Sequence, residues 1–244
     1  MNQLRVSVHP RTGASVTLVL LAAVAWWITA QHATNMSGND MTVSLGPFVV
    51  AWAVMMAAMM LPAVTPVVRL YDRAAATGRV APTGYFVSGY LAVWILSGLP
   101  AYLLWRAMAM PLMGAETWAL RVAGGTLLAA GVYQVLPLKR SCLRHCRSPM
   151  SYFFRQRRPL TSPGGAARSG AMHGIYCFGC CVGLMVVLVA AFAMQPWWAV
   201  VLTAAIFVER NLRWGESFSF VLAGVLIAVG GAIVIHPSLA SILI

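Results

Sequence analysis

The sequence predicts an all-α fold, a polytopic membrane helix bundle of about seven transmembrane helices with a cytoplasmic N-terminus. The composition is 60% hydrophobic and only 9% charged, whereas about a quarter of the residues in a typical soluble domain are charged. Seven apolar stretches follow one another along the chain, most of them long enough to cross about 30 Å of hydrocarbon. Of the 17 Lys and Arg residues, all but Arg106 and Arg121 fall before the first stretch or in alternate connections between stretches. The positive-inside rule places those connections in the cytoplasm.

The chain reads as a single membrane domain, residues 1–244, because no internal repeat is visible. The first apolar run is longer than the hydrophobic region of a typical signal peptide, so we expect an uncleaved anchor. A basic stretch, 139–168, follows the fourth span, and we expect an exposed cytoplasmic loop there. Its charge suits topology and anionic lipid better than nucleic acid, which we do not expect as a partner. The predicted spans cover residues 15–31, 46–70, 85–105, 118–138, 171–194, 196–208 and 218–235.

The second span contains four methionines at helical spacing: Met55, Met56, Met59 and Met60. Thioethers are soft and uncharged, so they can offer metal coordination inside hydrocarbon without the desolvation cost of a carboxylate. Methionine is equally a flexible core filler, and both interpretations stay open. Two prolines that follow, Pro62 and Pro66, are expected to end or kink this span.

A second group of soft ligands follows the fourth span, where Cys142, His145 and Cys146 form a CxxHC cluster. If this segment is helical, Cys142 and Cys146 share one face. All five cysteines of the chain lie in the predicted cytoplasmic loop or in the fifth span. We expect no structural disulfides there, so the thiols are available as ligands.

The fifth span carries the most informative pattern, Cys177, Cys180 and Cys181 on one helical turn. Residues at i, i+3 and i+4 lie on the same face, so three sulfurs can converge on one point. His173 and Met185 lie one turn to either side. Cu(I) takes two to four soft ligands of this kind. Zinc is the second choice, since no finger-like set of Cys and His is visible, and packing as small buried hydrophobes is the alternative to any metal.

Further methionines, among them Met36 and Met41, fall on the predicted outer side. The soft ligands therefore change from thioether to thiol toward the cytoplasm, and thiolate normally holds Cu(I) more tightly. This order suits inward passage of Cu(I) or its retention at the cysteines.

The sixth predicted span ends in an acid followed directly by a base, Glu209 and Arg210. Ionisable groups at a membrane helix end are either ion-pair partners or parts of an ion path. We expect an ion pair at the solvated interface, with Arg210, Arg213 or a base of the long loop.

Four segments, in this order along residues 46–231, carry a family resemblance. They are AMMLPAVTP (Ala58 to Pro66), LKRSCLRHCRSP (Leu138 to Pro149), YCFGCCVGLM (Tyr176 to Met185) and the pair Glu209-Arg210. They resemble the bacterial domain-of-unknown-function 2182 family, described as predicted metal-binding integral membrane proteins and sometimes named copper chaperones. Val182 stands where tryptophan is common in that family and Arg210 where lysine is common. Neither departure removes a candidate ligand.

The leading hypothesis is a copper-handling protein of the bacterial cytoplasmic (inner) membrane that binds Cu(I) for uptake or for delivery to a membrane cuproenzyme. The alternative is a structural or assembly subunit of a larger membrane complex. An enzyme is less supported, because no nucleophile–base pair and no paired carboxylates are visible, although an oxidase that uses a thiolate-bound metal stays open. The expected partners are membrane lipids and either a cuproenzyme or complex subunits.

Overall fold

The computed structural model describes residues 13–35, 44–147, 160–191 and 194–242. These residues form nine α-helices and one short 3-10 helix, Pro237–Ile242, and they contain no strand. The predicted all-α class is therefore confirmed for the described part of the chain. The helices are α1 (Gly13–Asn35), α2 (Leu45–Ala76), α3 (Thr83–Leu96), α4 (Gly98–Met113), α5 (Thr117–Val135), α6 (Pro137–Arg147), α7 (Pro163–Ala190), α8 (Pro196–Asn211) and α9 (Gly215–Ile235).

Four stretches are long and apolar enough to cross a membrane. They are α2, α3 together with α4, α7, and α9. Helices α5 and α6 meet at an angle of 62° and form a fifth candidate if they are counted as one bent span. The apolar part of α1 is shorter, and α8 has only 16 residues. A span count of seven and a cytoplasmic N-terminus stay predictions.

Helix α2 does not end at Pro62 or Pro66 but continues to Ala76, so one of the two effects expected of these prolines is wrong. The stretch 139–168 is not simply a loop, because α6 occupies its start and α7 begins at Pro163, where the Ser162 side chain accepts a hydrogen bond from the Gly165 amide at 3.1 Å. Residues 148–159, and with them part of this stretch, lie outside the described residues, as do Met36 and Met41.

Helix α7 is central to the bundle and approaches α3 closely. At Gly170, an added Cβ would overlap the backbone carbonyl of Phe86 on α3, and at Gly89 on α3 it would overlap the backbone of Ala167. Small residues at such positions let membrane helices pack backbone against backbone. The pair α5 and α9 is built in the same way at Gly124 and Gly230.

We expect Gly170→Ala to lower the Tm of the detergent-solubilised protein by roughly 5 °C, because the new methyl group meets backbone that cannot move without separating α3 from α7. Gly224→Ala is the matched control, since nothing lies within 4 Å of a Cβ there. A thermal unfolding curve of each variant measures the effect. Equal Tm values for the two variants would show that the α3–α7 contact is looser than described.

Candidate metal centre

The three cysteines of α7 form a compact group of sulfurs inside the bundle. The Sγ atoms of Cys177, Cys180 and Cys181 all lie within 4.8 Å of one another, and those of Cys180 and Cys181 are 3.9 Å apart. The three side chains are between 0% and 2% exposed. Their helical spacing places them on one face, as the sequence predicts, and α7 turns that face inward rather than toward lipid.

Two of these thiols share one acceptor. Cys180 and Cys181 both donate to the backbone carbonyl of Cys177, at 3.0 Å and 2.7 Å. Thiols are weak donors, and the carbonyl already belongs to the helix. A metal that displaces these two thiol hydrogen bonds therefore costs the protein no strong hydrogen bond.

The sulfur of Cys177 faces a buried cation. Arg210 of α8 donates from Nη1 to this sulfur at 2.8 Å, and the hydroxyl oxygen of Tyr90 on α3 lies 3.2 Å from it. The Arg210 side chain is only 6% exposed. Among the described residues, its Nε and Nη2 have no hydrogen-bond partner. A buried guanidinium without a carboxylate needs negative charge nearby, and the nearest group able to provide it is the thiol cluster.

A fourth sulfur reaches the cluster from another helix. The Sγ of Cys146 on α6 lies 4.0 Å from that of Cys180, and Cys146 is buried. The sulfur of Cys142, one turn earlier, packs against Gly179, where a Cβ would lie 2.8 Å from it. The structure thus brings thiols of α6 and α7 together, although the two sequence segments are separated by a long connection.

The acid next to Arg210 forms a buried ion pair. Lys139 Nζ on α6 lies 2.8 Å from both carboxylate oxygens of Glu209, and Ser219 of α9 donates to Oε1 at 2.9 Å. Lys139 and Glu209 are 1% and 2% exposed. The expected ion pair with a base of the long loop is confirmed, with Lys139 as the partner, but the expectation that it lies at a solvated interface is wrong. Burial follows because α6 folds back onto the bundle and carries Lys139 with it.

The remaining predicted ligands, on α7 and α2, are also buried. His173, one turn before Cys177, is buried, with its ring centroid 6.0 Å from that of Tyr90. Met185, one turn after Cys181, is also buried. The four methionines of α2 are buried in a helix that packs mainly against α1, α3, α4 and α8. Among the His, Cys, Asp and Glu side chains of the described residues, the three cysteines are the group whose ligand atoms meet. Metal binding by any of these residues stays a prediction.

Two contributors to the site were not predicted as such. Tyr90 carries no sequence signal, because an aromatic residue in an apolar span is commonplace. Arg210 carries one, since a base directly after an acid at the end of an apolar helix is costly unless both are paired. The sequence shows that Glu209 and Arg210 are adjacent, but not that Glu209 pairs with Lys139 whereas Arg210 contacts Cys177.

The donor set decides which ions the site suits. Three thiols suit soft ions such as Cu(I), and the ligand atoms of the compact group are all sulfurs. Zn(II) would need a fourth ligand to complete a tetrahedron.

Comparison with known proteins also points to copper. Residues 49–233, well over half of the chain, match the model of a family named PpoB2 and described as copper chaperone. No curated protein and no solved structure matches the chain significantly.

Proposed function

The chain belongs to the PpoB2 copper chaperone family, and from this premise we propose that it is an integral membrane protein that holds Cu(I) as cargo on Cys177, Cys180 and Cys181. The observation that carries the proposal is the group of three buried sulfurs within 4.8 Å of one another. Cu(I) accepts two or three thiolates, and an apolar surrounding keeps competing water away from it.

Charge balance supports a monovalent ion. Cu(I) on two thiolates carries one negative charge, which the guanidinium of Arg210, 2.8 Å from the Cys177 sulfur, offsets. Zn(II) would reach the same balance only with three thiolates and a neutral fourth ligand.

The biological role proposed here is copper uptake or delivery to a membrane cuproenzyme, in the cytoplasmic membrane of a bacterium. Seven spans and a cytoplasmic N-terminus, which the basic residues favour, would place α6 and the thiol-rich end of the bundle in the cytoplasm. The resemblance to the 2182 family supports the bacterial setting. Lipids of the inner leaflet are the partners proposed for the basic surface.

The remaining predicted ligands are assigned a supporting role. His173 and Met185 flank the cysteines on α7, and the four methionines of α2 would act as a relay of weaker ligands on the side away from α6. Thioethers that bind Cu(I) less tightly than thiolates can pass the ion on without retaining it.

The test is an anaerobic Cu(I) titration of the purified protein in detergent against a competing Cu(I) chelator. The wild type is expected to bind at nanomolar Kd or tighter. A Cys177→Ser, Cys180→Ser, Cys181→Ser variant is expected to bind at least about 1,000-fold more weakly, a loss of about 4 kcal/mol. Cys142→Ser is the matched control, since it removes a thiol outside the compact group and is expected to keep the wild-type Kd.

The competing outcomes separate the hypotheses. If the wild type and the triple variant both remain folded and neither competes for Cu(I), the cysteines are packing residues and a structural or assembly subunit becomes the better function. If the wild type prefers Zn(II) in a parallel titration, the copper assignment is wrong while the metal site stands.

A further inference from the structure

Helix α6 lies across the bundle next to the thiol cluster. It leaves α5 at an angle of 62° and packs against α7 and α8. Its buried face consists of Lys139, Leu143 and Cys146, at the i, i+4, i+7 spacing of one helix face. The opposite face is exposed.

Polar bonds tether α6 at both ends. Near its start, Lys139 forms the buried pair with Glu209. At its end, Arg147 Nη2 donates to the backbone carbonyl of Leu212 at 2.7 Å and to that of Arg213 at 3.2 Å. The helix is therefore fixed in register against α7 and α8, and its cysteines are held in place.

The two cysteines of α6 lie beside α7 and differ in burial, Cys146 being buried and Cys142 half-buried. Cys146 contacts Cys180 at 4.0 Å, yet it lies outside the group whose sulfurs are all within 4.8 Å of one another. Cys142 lies one turn back along α6 and is half-buried. Gly179, next to Cys180, leaves the room that the Cys142 sulfur occupies. Cys146 also interacts with the Cys177 thiol. A sulfur that lies beside two ligands of a site but outside the compact group is placed to exchange with them.

We propose that Cys146 and Cys142 form the path by which Cu(I) passes between the buried cluster and a thiol-bearing acceptor or donor at the exposed side of α6. This inference rests on the proposed function of the cluster. It assigns Cys146 to exchange rather than to storage, and Cys142 to the step nearest solvent.

Each transfer is a ligand exchange without redox change. A bond forms between Cu(I) and the Cys146 sulfur while a bond from Cu(I) to one cluster sulfur breaks. The proton of the Cys146 thiol passes to the sulfur that is released. The step from Cys146 to Cys142 repeats this exchange, so copper stays Cu(I), the proton count is conserved and no co-reactant is needed.

The experiment measures the rate and the equilibrium separately. Protein loaded with one equivalent of Cu(I) in detergent is mixed with excess bathocuproine disulfonate in a stopped-flow instrument, and the coloured Cu(I) complex is followed. The expected result for Cys146→Ser is transfer at least 10-fold slower, with the equilibrium Kd changed less than 3-fold. Cys142→Ser is expected to slow transfer by a smaller factor.

Gly179→Ala tests the same path without removing a thiol. Its new methyl group would displace the Cys142 sulfur, so slower transfer at an unchanged Kd is expected. Ser141→Ala on the exposed side of α6 is the matched control and is expected to leave the rate unchanged. Because this pair needs no change at the buried Cys146, the test holds even if Cys146→Ser fails to fold.

The outcomes are distinguishable from failure of the proposed function. If the wild type does not load with Cu(I), both proposals fall. If it loads normally, but Cys146→Ser and Gly179→Ala transfer at the wild-type rate, the path alone is overturned. If Cys146→Ser weakens binding more than 10-fold and releases copper faster, Cys146 is a fixed ligand and not an exchange residue.

Discussion

Glu209→Gln is expected to lower the free energy of unfolding by about 3–5 kcal/mol, because it leaves the ammonium of Lys139 buried without its counter-charge. Lys139 is 1% exposed, and both of its contacts to Glu209 are 2.8 Å long. The substitution also changes the acceptor that Ser219 uses. In a thermal unfolding experiment in detergent, this loss corresponds to a fall in Tm of about 10 °C for a protein of this size.

Two variants show whether burial causes this effect. Glu216→Gln removes an exposed carboxylate from the first turn of α9 and is expected to change stability by less than about 0.5 kcal/mol. The double variant Lys139→Met, Glu209→Leu removes both buried charges and is expected to recover most of the lost stability, since an apolar pair of similar volume often replaces a buried ion pair without loss. A double variant as unstable as Glu209→Gln would mean that the hydrogen bonds of the pair position α6 in a way that hydrophobic packing cannot replace.

The helical class and the positions of the long apolar helices can be predicted from the sequence, because hydropathy alone identifies apolar stretches long enough to cross a membrane. Hydropathy fails for residues 139–147, because their many basic side chains are typical of an exposed loop. Lys139, Leu143 and Cys146 nevertheless lie at helical spacing, and this pattern predicts an amphipathic helix. What the sequence does not show is that α6 folds back onto the bundle and buries a lysine there.

Part of the candidate site can likewise be predicted from the sequence, and part depends on tertiary packing. The convergence of Cys177, Cys180 and Cys181 follows from helical periodicity and needs no tertiary information. The approach of Cys146, Tyr90 and Arg210 depends on how the helices rotate and pair, which span length and composition do not fix. Glu209 and Arg210 are consecutive, yet they turn to different helices, and only the packed structure reveals that division.

Arg210→Gln is expected to weaken Cu(I) binding about 100-fold, a loss of about 2.7 kcal/mol. The guanidinium lies 2.8 Å from the Cys177 sulfur and is buried with it. Without this cation, the negatively charged copper–thiolate complex has no compensating charge in the interior. Arg210→Lys keeps the charge but loses the planar arrangement of donors, so a smaller loss of about 10-fold is expected. The measurement is the anaerobic chelator competition.

Arg213→Gln is the matched control, because it removes an exposed arginine close to the end of the same helix. Its Kd is expected to equal that of the wild type, which would exclude a general effect of net charge on Cu(I) binding. Tighter binding by Arg210→Gln would contradict the assignment and would mean that the guanidinium competes with the metal for the Cys177 sulfur. Glu209→Gln, in contrast, is expected to lower stability while the folded fraction binds Cu(I) normally. Adjacent residues would then differ in the property that they control, because Glu209 holds α6 and α9 to α8, whereas Arg210 supplies charge to the thiols of α7.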